Sequence, residues 1–375
     1  MKFLVEPTEL VDAVNWVARS LSTRPIKPEL LGIMIDVDTS ITLTGSDLET
    51  STKAILKADI SAKGKVLVPG RLLAEIARAL PNKPITFTLD GNRVLVTAGT
   101  AKFTLPTLSV NEYPNLPELP ETAGVIPSDV FAQAVNQVAI AAGKDDSLPT
   151  LTGVHIAINQ NKITLAATDR YRLAVRELNW QAKNSDIEVN TLVRARTLVD
   201  AAKSLTAHSQ VTLALSTTNS NEKLIGFLSE LKTMTSRTLD GTFPPFKHLL
   251  PTESVAEATI EVAPFLDSVR RVALVTDKTV PLRLIFTTNS LQLEAGAGED
   301  AQATEELEII YSGEAINIAF NPQYLTDGLQ AIGTPFVQIN FTGASKPAVL
   351  TGKHELTGTR DISYQYLLMP MRYSA

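Results

Sequence analysis

Apolar positions along the chain alternate between helical and strand-like spacing, and the alternation itself recurs. Leu10, Val14, Val17 and Leu21 fall at helical spacing, with Glu9, Asp12, Asn15 and Arg19 off that stripe, which predicts an amphipathic helix. Its centre, AVNWVA from Ala13, returns as AVNQVA from Ala134 and as SVRRVA from Ser268. A second series follows: LVPGRLLAEIARAL from Leu67, LVRARTLVDAAKSL from Leu192 and AFNPQYLTDGLQAI from Ala319. Each reads as an apolar strand end, a turn and a helix; Pro69 and Pro322 suit the turn or first helical position, where a missing N–H costs little. A third series is strand-like: ITLTGSDLE from Ile41, ITLAATDRY from Ile163 and LQLEAGAGE from Leu291. Three matched series in one order at nearly equal spacing indicate three copies of a unit of roughly 120 residues, an ordinary domain size.

Between the series lie period-2 segments such as ITFTL from Ile85, VLVTA from Val94, VTLAL from Val211 and VQINF from Val337, which read as half-buried antiparallel strands. Each copy then holds two helices packed on antiparallel sheet, an α+β unit. Prolines mark the joins: Pro114, Pro117 and Pro120 lead into Pro127, and Pro244, Pro245 and Pro251 precede the third copy. The expected domains are residues 1–120, 121–251 and 252–375.

Composition narrows the class. No stretch approaches 18 uncharged apolar residues, so no membrane span is expected. The N-terminus meets Glu6 and Glu9 before an apolar region develops, so a signal peptide is not expected. The sequence has no cysteine, which rules out disulfides, thiolate catalysis and cysteine-ligated metals and is compatible with a reducing cytoplasm. A net charge of −6 argues against a protein that grips nucleic acid by bulk electrostatics.

Catalytic chemistry is hard to find. None of His155, His208, His248 and His354 has a partner at metal-ligand spacing, and His155 alternates within a strand-like GVHIAI. Gly296–Ala301 (GAGEDA) fits a loose dinucleotide fingerprint, but the strand-like EELEII follows where a helix is needed, so it reads as a hairpin turn. Gly143-Lys144-Asp145-Asp146-Ser147 lacks the upstream glycine of a phosphate loop, there is no GxSxG, and no carboxylate pair stands out. No catalytic residue, metal or cofactor is expected. Basic residues lie on or near the predicted helices: Arg71 and Arg78 in the first copy, Arg194, Arg196 and Lys203 in the second, Arg270 and Arg271 in the third, with Arg24 and Lys144 in loops after helices. Two readings stay open, solvated helix faces or contact with nucleic-acid phosphates. The run Tyr366-Leu367-Leu368-Met369-Pro370-Met371-Arg372 is apolar near a chain end; Pro370 makes it an edge or strand terminus, and its methionines offer an adaptable surface, either buried in its own domain or open to a peptide.

That run, ATDRYRLAVRE from Ala167, DGTFPPFKHLLP from Asp240 and FNPQYL from Phe320, together with the triplication, resemble the bacterial DNA polymerase III β subunit (sliding clamp) family along the whole chain. The resemblance implies a head-to-tail homodimeric ring of six similar domains that encircles duplex DNA without sequence preference. It implies a non-enzymatic processivity factor that tethers the polymerase III α subunit, the clamp loader, other polymerases and repair proteins through short linear motifs. It implies a cytoplasmic protein. End-to-end contact removes exposed sheet edges if the rotation closes.

The resemblance also implies a peptide pocket. Leu151, Thr168, Arg170, Tyr171, Arg172 and Leu173 supply one part, and Pro244, His248 and Leu249 follow. Asn321, Tyr324, Ser345, Pro347, Leu367, Met369, Pro370, Met371 and Arg372 complete it. Aliphatic and methionine walls would bury apolar anchors at roughly 1.5–3 kcal/mol each, with Arg and Asn groups fixing the peptide backbone. Two departures alter partner preference: a Gly-His pair common in the family is Arg170-Tyr171 here, and a common arginine is His248. The resemblance further implies a dimer contact of Phe103 and Leu105 with Ala273 and Leu274, and DNA-facing Arg24, Arg71, Lys144, Arg194 and Arg196. The competing readings are a repeat-built scaffold that never encircles DNA, and an α+β enzyme with its site at a domain junction.

Overall fold

The computed structural model describes residues 1–206, 208–216, 223–251, 253–275, 280–296 and 301–373. Residues 297–300 of the GAGEDA segment, and Thr252 at the expected start of the third copy, lie outside the described residues.

The repeated helical patterns are helices. They are α1 (Pro7–Ala18), α2 (Gly70–Ala79), α3 (Ser128–Ala139), α4 (Ala195–Leu205), α5 (Val262–Val272) and α6 (Pro322–Ala331), two to a copy. Prolines open α1 and α6, where fixed φ favours the first turn. Asn321 caps α6, its side-chain oxygen accepting the N–H groups of Gln323 and Tyr324. Among the described residues each copy also contributes nine strands, all paired antiparallel.

Two compact units result, each drawing strands from two copies. The first comprises Met1–Ala132, Trp180–Ser185 and Thr197–Thr238; the second comprises Gln133–Asn179, Asp186–Arg196 and Leu239–Ala375. In the first unit a five-stranded sheet ends on Ala101–Pro106, and a nine-stranded sheet joins Thr50–Leu56 of the first copy to Lys232–Arg237 of the second, with Ala54 opposite Lys232. Leu10, Val14, Trp16 and Val17 of α1 pack inside it. Lys232, nearly buried, donates to Asp12 of α1 at 2.7 Å and lies 6.0 Å from the Trp16 ring.

The second unit repeats that plan one copy later. Its nine-stranded sheet joins Arg172–Asn179 of the second copy to Arg360–Leu368 of the third, with Arg172 opposite Leu368. Its four-stranded sheet ends on Ala303–Glu308. So the fourth strand of one copy pairs with the ninth strand of the next at both internal junctions. The remaining fourth strand, Ala303–Glu308, and the remaining ninth strand, Ala101–Pro106, are sheet edges within the chain.

A second feature repeats three times. The backbone N–H of Leu108 bonds the Leu67 carbonyl at 2.8 Å, that of Leu239 the Leu192 carbonyl at 2.7 Å, and that of Met371 the Ala319 carbonyl at 2.8 Å. The three acceptors are the first residues of the second sequence series. The segment after each ninth strand thus seals the strand that leads into that copy's second helix. The methionine-rich run near residue 371 is first of all this seal, which accounts for its apolar character.

Gly328 of α6 lies against Tyr366, and a Cβ there would sit 2.4 Å from Cε1 of that fully buried ring. Gly328→Ala is expected to destabilise the protein by about 1–3 kcal/mol through overpacking, measured by denaturant titration.

Candidate functional site

Lys162–Thr168 and Arg172–Asn179 are joined by a tight turn. Asp169 Oδ1 accepts the N–H groups of Tyr171 at 3.0 Å and Arg172 at 3.1 Å. The Thr168 hydroxyl donates to the Arg172 carbonyl at 2.7 Å and accepts from the Arg170 N–H at 3.2 Å. These bonds hold Arg170 at φ 79°, a left-handed conformation costing a non-glycine residue roughly 1–2 kcal/mol. The first copy has the same turn at Ser46–Thr50, with Leu48 at φ 78° and Asp47 in the role of Asp169. The conformation therefore belongs to the repeated unit, and glycine's absence at position 170 leaves a cation on a strained tip.

The turn aims Arg172 inward, with its side chain only 6% exposed. Its Nε donates to Asp169 at 2.9 Å and its guanidinium to Asp327 of α6 at 2.6 Å, with the Tyr366 hydroxyl at 3.5 Å. The Tyr324 ring lies 4.2 Å beneath the guanidinium. Burial pulls the Arg172 pKa down, but Tyr366, Asp327 and Asp169 outweigh it and drive the pKa up, so the charge is permanent. Burial raises Tyr366 well above the ordinary tyrosine value. Tyr171, 56% exposed, stacks on the Tyr324 ring at 6.4 Å, so Tyr324 contacts both Tyr171 and Arg172.

Around this arrangement opens a cleft of about 430 Å³. Leu151, Arg170, Tyr171, Arg172 and Tyr324, all expected in the peptide pocket, line it together. So does Lys144, expected on DNA. Asp145, Leu148, Asp169, Gln323 and Asp327 also line it and were missed by sequence reasoning. For Asp327 a signal existed, since Asp200 stands at the same place in the second copy's series. Ser147 holds the Asp145 carboxyl below its ordinary value, and Arg170 adds to the effect.

The apolar part lies beside the cleft. Thr168 belongs to the turn, while Leu173 and Leu367 are buried in a cluster with Ala166, Val175, Leu192, Val349, Phe243 and Phe246. They form a floor and do not present free side chains. Phe243 and Phe246 come from the segment before the third copy, which leaves Pro244, His248 and Leu249 exposed beside them. Met369 is 40% exposed, and its N–H bonds the Tyr171 carbonyl at 2.9 Å. Pro370 and Met371 are half-buried, and Arg372 is exposed. Ser345 is exposed and Pro347 half-buried, in the turn after Phe336–Phe341, and neither lines the cleft.

Two residues expected in the pocket already make contacts within the chain. Arg172 bonds Asp169 and Asp327 through Nε and Nη1 and packs on Tyr324 while lining the cleft. The Asn321 side-chain oxygen, expected to meet a peptide, caps α6 through Gln323 at 2.9 Å and Tyr324 at 3.1 Å.

His155 lies under the same segment. Its ring stacks on Phe243 at 5.2 Å and meets the edge of Phe246 at 6.4 Å. Its Nδ1 is buried with no hydrogen-bond partner among the described residues. Burial, assisted by Lys247, lowers its pKa.

The expected dimer residues differ in exposure. Phe103 is 36% exposed and Leu274 83% exposed, whereas Leu105 is fully buried. The Leu105 side chain packs into its own sheet's core, on the strand face it shares with Phe103, opposite Val94. Ala273 is half-buried. Arg24, Arg71, Arg194 and Arg196 are exposed. Among the described residues no acidic or histidine cluster suits a metal, and no helix is long and apolar enough to cross a membrane.

Comparison with known proteins agrees with the triplication. Family models of the DNA polymerase III beta subunit match in order: its N-terminal domain over residues 1–117, its central domain over 125–245 and its C-terminal domain over 247–372. A beta sliding clamp of Streptomyces coelicolor is 49% identical, with 100% of both chains covered. The DNA polymerase sliding clamp of Bacillus subtilis superposes with a TM-score of 0.90 at 26% identity, and 100% of both chains is covered. A Pseudomonas aeruginosa sliding clamp bound to griselimycin superposes equally, with a TM-score of 0.90, 26% identity and 100% of both chains covered.

Two outcomes follow from the site. Arg172→Met strands Asp169 and Asp327 and is expected to destabilise by about 3 kcal/mol, read in urea unfolding. For His155, the folded pKa lies below the ordinary histidine value of 6.5, so the neutral form is favoured on folding and unfolding takes up a proton. Its contribution is complete above pH 6.5 and is lost as pH falls toward the folded pKa. His155→Phe is expected to flatten the pH dependence of stability in that acid window, measured as Tm against pH.

Proposed function

The chain belongs to the DNA polymerase III beta subunit family, and from that premise we propose how its parts serve the work of a sliding clamp. As a member of the family it is a DNA sliding clamp: a non-catalytic replication protein that acts on DNA as a ring-shaped homodimer and tethers polymerase. The reading as a scaffold that never encircles DNA is not favoured. The domains are residues 1–120, 121–251 and 252–375, and the protein works in the cytoplasm.

One observation carries the proposed seam. Both internal junctions pair a fourth strand with the next copy's ninth strand, and one strand of each kind is left over. Aligned on the repeats, Phe103 corresponds to Met234 and Ala303 to Thr52, which face each other across the first internal junction. The seam therefore sets Ala101–Pro106 of one protomer antiparallel to Ala303–Glu308 of the other, with Phe103 opposite Ala303. Leu274 and Phe103 lose their exposure there, and two such seams close a ring.

The cleft and its methionine rim take the partner's short motif. Tyr171 and Met369 are its exposed walls, half-buried Tyr324 lines it against the Tyr171 ring, the Phe243–Phe246 cluster supports it from beside, and Arg170 and Lys144 are its cationic entrance. Exposed Arg71, Arg194 and Arg196 meet phosphates, as does Lys144 where the duplex passes. Griselimycin, the ligand of the superposable Pseudomonas clamp, would occupy the cleft, and a labelled partner peptide should be displaced by it.

Wild-type protein is expected to stay on a nicked circular duplex after loading and to leave when the circle is cut. Phe103→Asp with Leu274→Asp is expected to give a monomer by sedimentation and to abolish retention while peptide binding persists. A dimeric double variant would reject the proposed seam, and indifference to linearisation would reject encirclement.

A further inference from the structure

Within the second unit, α3 and α6 border another cleft, of about 360 Å³. Gln133, Gln137 and Ile140 line it from one side, and Asp327, Gln330 and Ala331 from the other. No lysine or arginine lines it. Asp327 lines the first cleft as well, so one carboxylate borders both cavities. Its oxygens accept Arg172 at 2.6 Å and Gln323 at 2.7 Å, which leaves lone pairs free on a carboxylate. Arg172 also bonds Asp169, so two carboxylates face one guanidinium. Gln137 is only 4% exposed, and its amide N–H bonds the Ala331 carbonyl at 2.9 Å. That bond fixes which way the amide points. Its Oε1 is buried and has no partner among the described residues, an unmet acceptor. The C-terminal end of α6 adds the negative pole of the helix dipole.

The first unit shows what this cleft lacks. The repeats align Arg19 with Ile140, Asp200 with Asp327, and Lys203 with Gln330. Arg19, directly after α1, pairs with Asp200 of α4 at 3.5 Å. There the chain supplies its own guanidinium. In the second unit the acid is kept, both aligned cations are absent, and the bulky Trp16 is replaced by Gln137. We propose that the cleft between α3 and α6 binds a small aliphatic cation, a guanidinium or primary ammonium on a methylene chain without a carboxylate, in the place that Arg19 takes in the first unit. The cationic head sits on Asp327, and the methylenes lie along Ile140 and Ala331. The Gln133 and Gln137 amides both lie against Gly333. Gln133 is exposed, and by swinging aside it admits a donor to the Gln137 oxygen. Asp327 disfavours an anion such as a nucleic-acid phosphate. The inference rests on the repeat alignment and the cleft, not on the sliding-clamp reading.

Agmatine carries both head groups on one short chain. Titrated calorimetrically into the intact protein at low ionic strength, it is expected to bind saturably, and more weakly as salt is added. Free arginine, whose carboxylate meets Asp327, is expected to bind less well. Ile140→Arg returns the first unit's cation to the cleft and is expected to abolish agmatine binding. Gln330→Lys alters an exposed side chain, leaves the core intact, and is expected to weaken binding several-fold; it decides the matter if Ile140→Arg does not fold. No saturable binding by the wild-type chain overturns the proposal. Binding unchanged in Gln330→Lys and in folded Ile140→Arg also overturns it, in favour of diffuse association with an acidic surface. Arginine binding as well as agmatine rejects the placement on Asp327 and overturns it too. None of these results touches retention on circular DNA.

Discussion

An unpaired strand edge is the constraint from which the rest of this structure follows. Each copy of the repeated unit ends its sheets on strands whose N–H and C=O groups have no partner inside the copy, and such edges invite uncontrolled association. Within the chain the constraint is met twice in the same way, by pairing Thr50–Leu56 with Lys232–Arg237 and Arg172–Asn179 with Arg360–Leu368. The smaller edges beside each second helix are sealed by Leu108, Leu239 and Met371. Three copies in a row satisfy two junctions and leave the two halves of a third. A second molecule is what those halves require.

The candidate site is a product of one junction. Where Arg172 begins its strand, the pairing brings α6 within reach, and Asp327 closes on the guanidinium at 2.6 Å. The Tyr324 ring contacts both that guanidinium and the Tyr171 ring. The turn that starts the strand is the turn of the first copy, yet Ser46–Thr50 places threonine where the second copy has Arg172. A shared backbone device thus acquired a different function through a few side chains: a buried cation, an exposed aromatic beside it, and a methionine rim contributed by the edge seal. The rim is part of the sheet's own closure, so the surface offered to a partner is held by hydrogen bonds made regardless of the partner.

Much of this was legible in the sequence. The helices fall where the three series place them, because the periodic stripe Leu10–Val14–Val17 and its counterparts have one way to be buried. The strands are similarly readable from period-2 patterns such as ITFTL and VQINF. What could not be read was which strand pairs with which across copies, since alternation specifies a face and not a neighbour. That information separates Phe103 from Leu105: both face the core side of one edge strand, but only Phe103 lies at the uncovered rim. The roles of Arg172 and Asn321 were hidden for a related reason. A sequence motif names the residues near a site without naming the bonds their polar atoms already make, and here Arg172 Nε and Nη1 bond Asp169 and Asp327, and the Asn321 side-chain oxygen caps the first turn of α6.

The three copies also differ at one helical position in a way that follows from the edges. The fourth residue of the first series is Trp16, Gln137 and Arg271. In the first unit Trp16 is 1% exposed, and its indole N–H bonds the Lys53 carbonyl at 3.1 Å, under the strand that pairs with the second copy. In the second unit Gln137 bonds the Ala331 carbonyl at 2.9 Å and receives the Tyr364 hydroxyl on its own carbonyl at 3.0 Å. Both junctions are permanent, because the chain itself supplies the next copy. Arg271 sits behind the strand left unpaired. It bonds Glu305 at 3.1 Å, with Ser268 donating to the same carboxylate at 2.7 Å, and Arg271 holds the Glu305 pKa down. A large apolar ring at that edge would be a template for aggregation in any molecule not yet joined to a second copy. An exposed ion pair tolerates water before association and survives it afterwards, at the modest strength typical of such pairs. The residue type at this position thus follows whether the junction it supports is covalently guaranteed or must form between molecules.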